Sequence, residues 1–283
     1  DRYIRLDEIS RESKIPAYLL ARRVTVAGDI AEGVLDCYVR PVYDRVGDDF
    51  EALRQYRVAM RGLDARAINP DYIMPGGGDP KAILADIEAR LGPERYQKVK
   101  DAADELWRLN DKYILQAAVS SGRLSQSAYE FLKERWPHYV PFYRKGQLDT
   151  SWESAVETMS RLVNGQGRDI QPAITPAGNF IKVLDLDGSS KELDDTEFLW
   201  QTSLISSAMA NARNEATRAM VQALEAVGEE VEHGNILSTR GTGVIDYWDN
   251  GERQFVRIPK EYAAIARDIT PEQAHGLMRI LQI

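Results

Sequence analysis

Apolar residues return every three or four positions over most of this chain, which is the period of a helix with one buried face. The first such run, IPAYLLARRVTVAGDIAEGVLDCYV, has Ser13 placed to cap it and Pro16 in its first turn. Pro41, which has no amide hydrogen to give, is predicted to kink or end that helix. Beyond it Tyr43, Val46, Phe50, Leu53 and Met60 continue the spacing as a coiled-coil-like seam, with Arg57 the one interruption. INPDYIMPGGGDP reads as a loop, and Asp79-Pro80 as the cap and first residue of the helix KAILADIEARL. Gly92-Pro93 opens a further long helix through Val99, Ala103, Leu106 and Tyr113, stopping near Gly122. Ser125 caps the short helix QSAYEFLKERW, and Pro137 ends it.

The pattern changes after residue 145. SWESAVETMSRLV is predicted to be a helix, but NGQGRDIQPAITPAGNFIKVLDLDGSS carries Gly and Pro at loop density around one possible strand, FIKVL. From about Asp194 to Val227 runs the longest helix candidate, with seven alanines between Ala208 and Ala226. Small side chains permit close approach, so this helix is placed centrally. GVIDYW and RQFVRI then flank DNGE, whose Asn-Gly is a strong signal for a two-residue hairpin turn. The chain stops at Ile283 inside another helical pattern, TPEQAHGLMRILQI, and so reads as a piece of something longer. The expected fold is mainly α, an elongated helical bundle of long amphipathic helices with a small β-hairpin near the C-terminal end. Its expected parts are a helical domain over 1–145 ending in an aromatic and proline seam, an irregular linker region over 146–192, and a long helix, hairpin and start of a further helical segment over 193–283.

Charge narrows the choice of partner. The chain has 36 basic and 44 acidic residues, a net charge of −8, which argues against nucleic acid as the main partner because phosphate neutralisation needs clustered positive charge. The acidity is local: Lys182 to Glu232 holds four basic and eleven acidic residues, so the long helix is expected to pack one face and present a strongly acidic one opposite. The stretch Lys133 to Lys145 is instead locally +3. One cysteine, Cys37, forms no internal disulfide, and three scattered histidines, His138, His233 and His275, suggest no zinc site and no Ser/His/Asp set. No metal or cofactor is implied. No apolar run approaches the roughly eighteen residues of a membrane helix, and no signal-peptide pattern appears.

Four motifs carry candidate chemistry. PGGGDPKAI feeds a helix N-terminus but lacks the glycine and lysine spacing of a phosphate loop, and no strand precedes it, so it reads as a connector. NARNEATR in the long helix sets Asn211, Arg213, Asn214 and Arg218 in a polar stripe, which is expected to satisfy neighbouring backbone or pair with acids such as Glu215 and Glu225. Glu153-Ser154 and Gly276-Leu277-Met278 resemble pieces of lytic transglycosylases, but they lie more than a hundred residues apart and Arg279 stands where glutamine is expected. Finally, ERWPHYVPFYRK offers Trp136, Tyr139, Phe142 and Tyr143 for stacking on bases, with Arg144 and Lys145 for phosphates. The competing reading, which is preferred, is a seam in which Pro137 and Pro141 hold an extended segment whose rings close a core.

The order of these features resembles a family, the large polyvalent proteins of bacteriophages, prophages and related mobile elements. The likeness lies in GRLSQSAYEFLKERWPHYVPFYR with its Tyr-Val-Pro-Phe-x-Arg exit, in the alanine-rich helix with Arg213-Asn214, and in the hairpin segment DNGERQFVRIPKEYAAIA, where Ile258-Pro259 and Tyr262 are variants. It touches residues 120 to 268. The resemblance implies a virion-associated polypeptide ejected into the host with the genome, ending in the cell interior or envelope. This chain carries no signature of that family's catalytic domains, so it is expected to be a non-catalytic scaffold or connector, with other virion or ejected proteins or a second copy as partner. A peptidoglycan-lytic or other enzymatic segment, and a single-stranded nucleic-acid binder, are the alternatives.

Overall fold

A computed structural model describes residues 2–140, 195–234 and 243–268. The predicted helix SWESAVETMSRLV, the strand FIKVL, the linker region and the last helical pattern lie outside these residues. The described chain is mainly helical with a small antiparallel sheet near its C-terminal end, as its apolar periodicity predicts. Its residues divide into two compact units, each assembled from pieces distant in sequence. The first takes residues 2–31, 117–126, 205–234 and 243–268; the second takes 32–116, 127–140 and 195–204.

The helices are α1 (Arg2–Ser13), α2 (Ala17–Val24), α3 (Ala27–Val34), α4 (Arg40–Val46), α5 (Phe50–Ile68), α6 (Pro80–Asn110), α7 (Ala117–Ser121), α8 (Gln126–Arg135), α9 (Thr196–Ala226) and α10 (Lys260–Asp268). Ser13 does not cap a helix; it ends α1, and Lys14 turns the chain with φ of 60°. Ser10 takes the capping part, its hydroxyl accepting from Tyr18 N at 3.3 Å while donating to Ile15 O at 2.5 Å. The helix predicted to run on to Pro41 breaks earlier, between Val24 and Ala27. At Pro41 it does not end. A π-helical turn, Leu35–Val39, precedes α4, and Arg40 N donates to Leu35 O, so Pro41 falls in the first turn of α4, where a missing amide hydrogen costs little.

In the first unit α1 packs on α2 and α10, and Arg5 reaches Glu261 at 2.7 Å. The strands are β1 (Glu232–Gly234), β2 (Val244–Asp249) and β3 (Glu252–Arg257), ordered β1-β3-β2. Asn250 and Gly251 both have positive φ, 49° and 80°, which is the turn that Asn-Gly favours between β2 and β3. The short β1, which alternation did not announce, extends the sheet on the far side of β3. The alternation of β2 sends Ile245 and Tyr247 into the core, where Met209, Ala216 and Met220 of α9 are also buried.

The second unit is built on α5 against α6. Asp79 caps α6 by accepting from Ala82 N at 3.0 Å, and Pro80 follows it. Gly92, with φ of 74°, bends α6 at the predicted boundary with Pro93. On α5, Gly62 leaves room for Met74, whose sulfur would overlap a Cβ there.

Thr196–Leu204 of α9 belong to the second unit and Ile205–Ala226 to the first. The strongly acidic face expected on this helix is absent. The helix is buried along most of its length, Glu197 completely so, and Glu215 turns to Arg23 at 3.4 Å. Ala212, Ala216, Ala219 and Ala223 are buried on it, and most acids of that span lie beyond its ends.

Candidate functional site

The second unit concentrates its polar chemistry on one stripe of α5. Arg57, Arg61 and Asp64 stand at i, i+4 and i+7, a spacing that places them one above the other on a helix. The two arginines are buried, Arg57 with 0% exposure. An ion this deep persists only if it is paired.

Glu197 is the partner of Arg57. Asp195 caps α9, its Oδ1 accepting from Glu197 N at 3.0 Å and Phe198 N at 3.1 Å, and this sets Glu197 in the first helical turn, where a carboxylate suits the helix dipole. Arg57 Nη1 donates to Glu197 Oε2, and the Tyr43 hydroxyl donates to the same oxygen at 2.8 Å. Burial pushes the Tyr43 phenol well above its ordinary pKa, and the Glu197 carboxylate adds to the shift. The Trp200 ring lies against the guanidinium, 5.4 Å from Cζ to centroid, a distance at which cation–π attraction operates. Its indole nitrogen donates to Asn110 Oδ1 at 3.0 Å. Arg57 Nε and Nη2 and Glu197 Oε1 are buried without a hydrogen-bond partner among the described residues. Such an atom costs about 1–3 kcal/mol, and more when it carries charge.

One turn on, Arg61 meets the aromatic stretch. Its Cζ lies 5.0 Å from the ring centroid of Trp136 and 5.0 Å from that of Tyr139. Burial holds its pKa below the ordinary arginine value, with Tyr139, Tyr72 and Asp64 acting in opposition. Asp64 holds His138, which lies between Trp136 and Tyr139 in sequence, twice: it accepts from His138 N at 3.0 Å and lies 2.8 Å from the ring Nδ1. Trp107 closes the other side of that ring, edge on at 4.5 Å. Trp136 is only 5% exposed and Tyr139 is half-buried. Arg61 thus joins two of the six residues singled out in sequence. Phe142, Tyr143, Arg144 and Lys145 lie outside the described residues.

The polar stripe of α9 is tied into the first unit. Asn214 Nδ2 donates to Ser121 O and to Trp248 O, both at 2.8 Å, and its Oδ1 accepts from Trp248 N at 2.7 Å. Asn211 Oδ1 accepts from Ser121 Oγ at 3.1 Å and Arg123 Nη1 at 3.2 Å. Arg218 reaches Asp249 at 3.3 Å, and Gly122 O accepts from Gly251 N at 2.9 Å. A Cβ on Gly122, where φ is 87°, would overlap Arg218 Nη1. Arg123 is pushed down to about 10 by burial, with Arg213 adding to the effect.

Sequence reasoning flagged Arg57 only as an interruption and passed over Arg61, Asp64 and Glu197. The usable signal was the repetition: three charged residues at helical spacing inside an apolar seam.

No family model, curated protein or solved structure matches the chain. No helix among the described residues is long and apolar enough to cross a membrane.

Proposed function

We propose that the chain is a mainly helical, non-catalytic scaffold or connector module of a bacteriophage or prophage large polyvalent protein, carried in the virion and ejected into the host with the genome. One observation carries this reading. The three segments whose sequences resemble that family come together in the first unit: Gly122 O accepts from Gly251 N of the hairpin at 2.9 Å, and Asn214 of the alanine-rich helix bonds Ser121 and Trp248, which stand directly before the other two segments. The segments that carry the resemblance are thereby occupied in holding one another, which is what a structural module requires of them. The same holds in the second unit, where Trp136 gives its ring to Arg61 and is covered. That burial takes Trp136 away from base stacking, so the seam reading of the aromatic stretch is favoured over the single-strand one.

Other virion or ejected proteins, or a second copy, are the partners this reading requires. The test is mass spectrometry of purified particles from the element that encodes the chain. Peptides covering the module are expected in the particle. Their confinement to the infected cell, with none in the particle, would overturn the proposal.

A further inference from the structure

The Arg57–Glu197 pair has more hydrogen-bonding capacity than the protein around it uses. Arg57 presents five N–H donors, yet among the described residues only Nη1 has an acceptor, and Glu197 concentrates both its donors on Oε2. Arg57 Nε and Nη2 and Glu197 Oε1 remain, all three buried. The Trp200 ring approaches the guanidinium, but a π-face does not replace an in-plane acceptor for Nε–H and Nη2–H.

We propose that this pair encloses an internal hydration site, in which ordered water accepts from Arg57 Nε–H and Nη2–H and donates to Glu197 Oε1. Three physical considerations select water. Ordering a water costs less than leaving a buried charged donor without an acceptor. An anion drawn by the guanidinium would face the Glu197 carboxylate, and a cation drawn by the carboxylate would face Arg57, so a guest serving both is neutral. It must also both donate and accept, since the unmet groups are donors on Arg57 and an acceptor on Glu197. Tyr43 sets the direction of the arrangement: its hydroxyl occupies Oε2 and leaves Oε1 as the acceptor for the guest.

The inference is independent of the virion reading and is tested on the 283-residue chain itself. A crystal structure that orders solvent should show water at hydrogen-bond distance, about 2.7–3.2 Å, from Arg57 Nε or Nη2 and from Glu197 Oε1. Water-oxygen magnetic relaxation dispersion should count fewer long-lived waters in the variant Arg57→Met/Glu197→Leu than in the wild type. That replacement removes both charges together, which keeps the variant foldable. An unchanged count, or no solvent peak at any of the three atoms, overturns the proposal. So does an anomalous peak at Arg57 after bromide soaking, because it would make the guest an anion.

Discussion

Asn214 makes with Trp248 the two hydrogen bonds that a neighbouring strand would make, one from Nδ2 to the carbonyl at 2.8 Å and one from the amide to Oδ1 at 2.7 Å. The side chain is 6% exposed, so its removal leaves the Ser121 carbonyl and both Trp248 groups without it. Asn214→Ala is expected to cost about 2–4 kcal/mol, from hydrogen bonds of about 0.5–1.5 kcal/mol each plus the desolvation of groups left unmet. Urea denaturation measures the loss, and hydrogen exchange at the Trp248 amide should quicken with it. Unchanged protection there would show that the amide finds its acceptor elsewhere.

Breaking the Arg57–Glu197 pair from one side and removing it altogether should give different results. Glu197→Ala strands a buried guanidinium and is expected to cost about 3–5 kcal/mol. Arg57→Met/Glu197→Leu should come within about 1–2 kcal/mol of wild type, because apolar replacements of a buried pair are often near neutral. Chemical denaturation of the two variants compares them, and equal losses would contradict the pairing.

Trp136→Ala removes a ring covered on one side by Arg61 and should destabilise by about 3–5 kcal/mol. The readout is the urea midpoint, together with binding of a single-stranded oligonucleotide. A stability change below about 1 kcal/mol accompanied by lost binding would restore the stacking reading of this stretch.

Gly62→Ala inverts a familiar rule. In an ordinary helix interior that change gains about 1 kcal/mol. On α5 the added methyl would overlap Met74, so a loss of about 1–3 kcal/mol is expected, and Met74→Ala in the same background should behave better than the sum of the two single changes. Thermal melts of the four proteins decide it.

Acid should weaken the second unit through two carboxylates. Hydrogen bonds from Arg95 hold Asp49 below the ordinary aspartate pKa, and the Ala82 amide, with Arg66, does the same for Asp79. A carboxyl group whose folded pKa is depressed stabilises the fold above its unfolded pKa of about 4, and that contribution is lost as the pH falls through the folded value. Urea midpoints should therefore be level from neutral pH down to about 5 and fall below about 4. Asp79→Asn keeps a capping side chain but removes the charge, and its acid decline should be shallower. An identical decline in the variant would remove Asp79 from the account.

Short-range chemistry was legible before the structure. Asn250-Gly251 requires two positive φ angles, Asp79-Pro80 caps and opens a helix, and Gly92-Pro93 bends one; each acts within a few residues. Other features were settled by packing. Pro41 is compatible with a break or with a widened turn, and the π-helical turn before it belongs to a stretch where α4 packs on α6. Ser13 was read as the cap from its nearness to Pro16, but Lys14 at positive φ turns the chain there, and Ser10, seven residues before α2, takes that part, which no local rule indicates. In the site, Trp136 was singled out from its local company of rings and prolines. Arg57 stood out as irregular, but its partner lies 140 residues away, and no spacing rule spans that distance.

The outer edge of β2 has a consequence for what the chain does at high concentration. In a two-residue hairpin the outward-facing backbone groups of β2 belong to Val244, Asp246 and Trp248. Asn214 occupies both groups of Trp248, Arg267 donates to Val244 O at 3.3 Å, and the residue between them is an exposed aspartate. A stray extended segment arriving at this edge finds both groups of Trp248 and the Val244 carbonyl already engaged, with the charged side chains of Asp246 and Arg253, 2.7 Å apart, beside the position between them, so β2 is a poor template for a further strand.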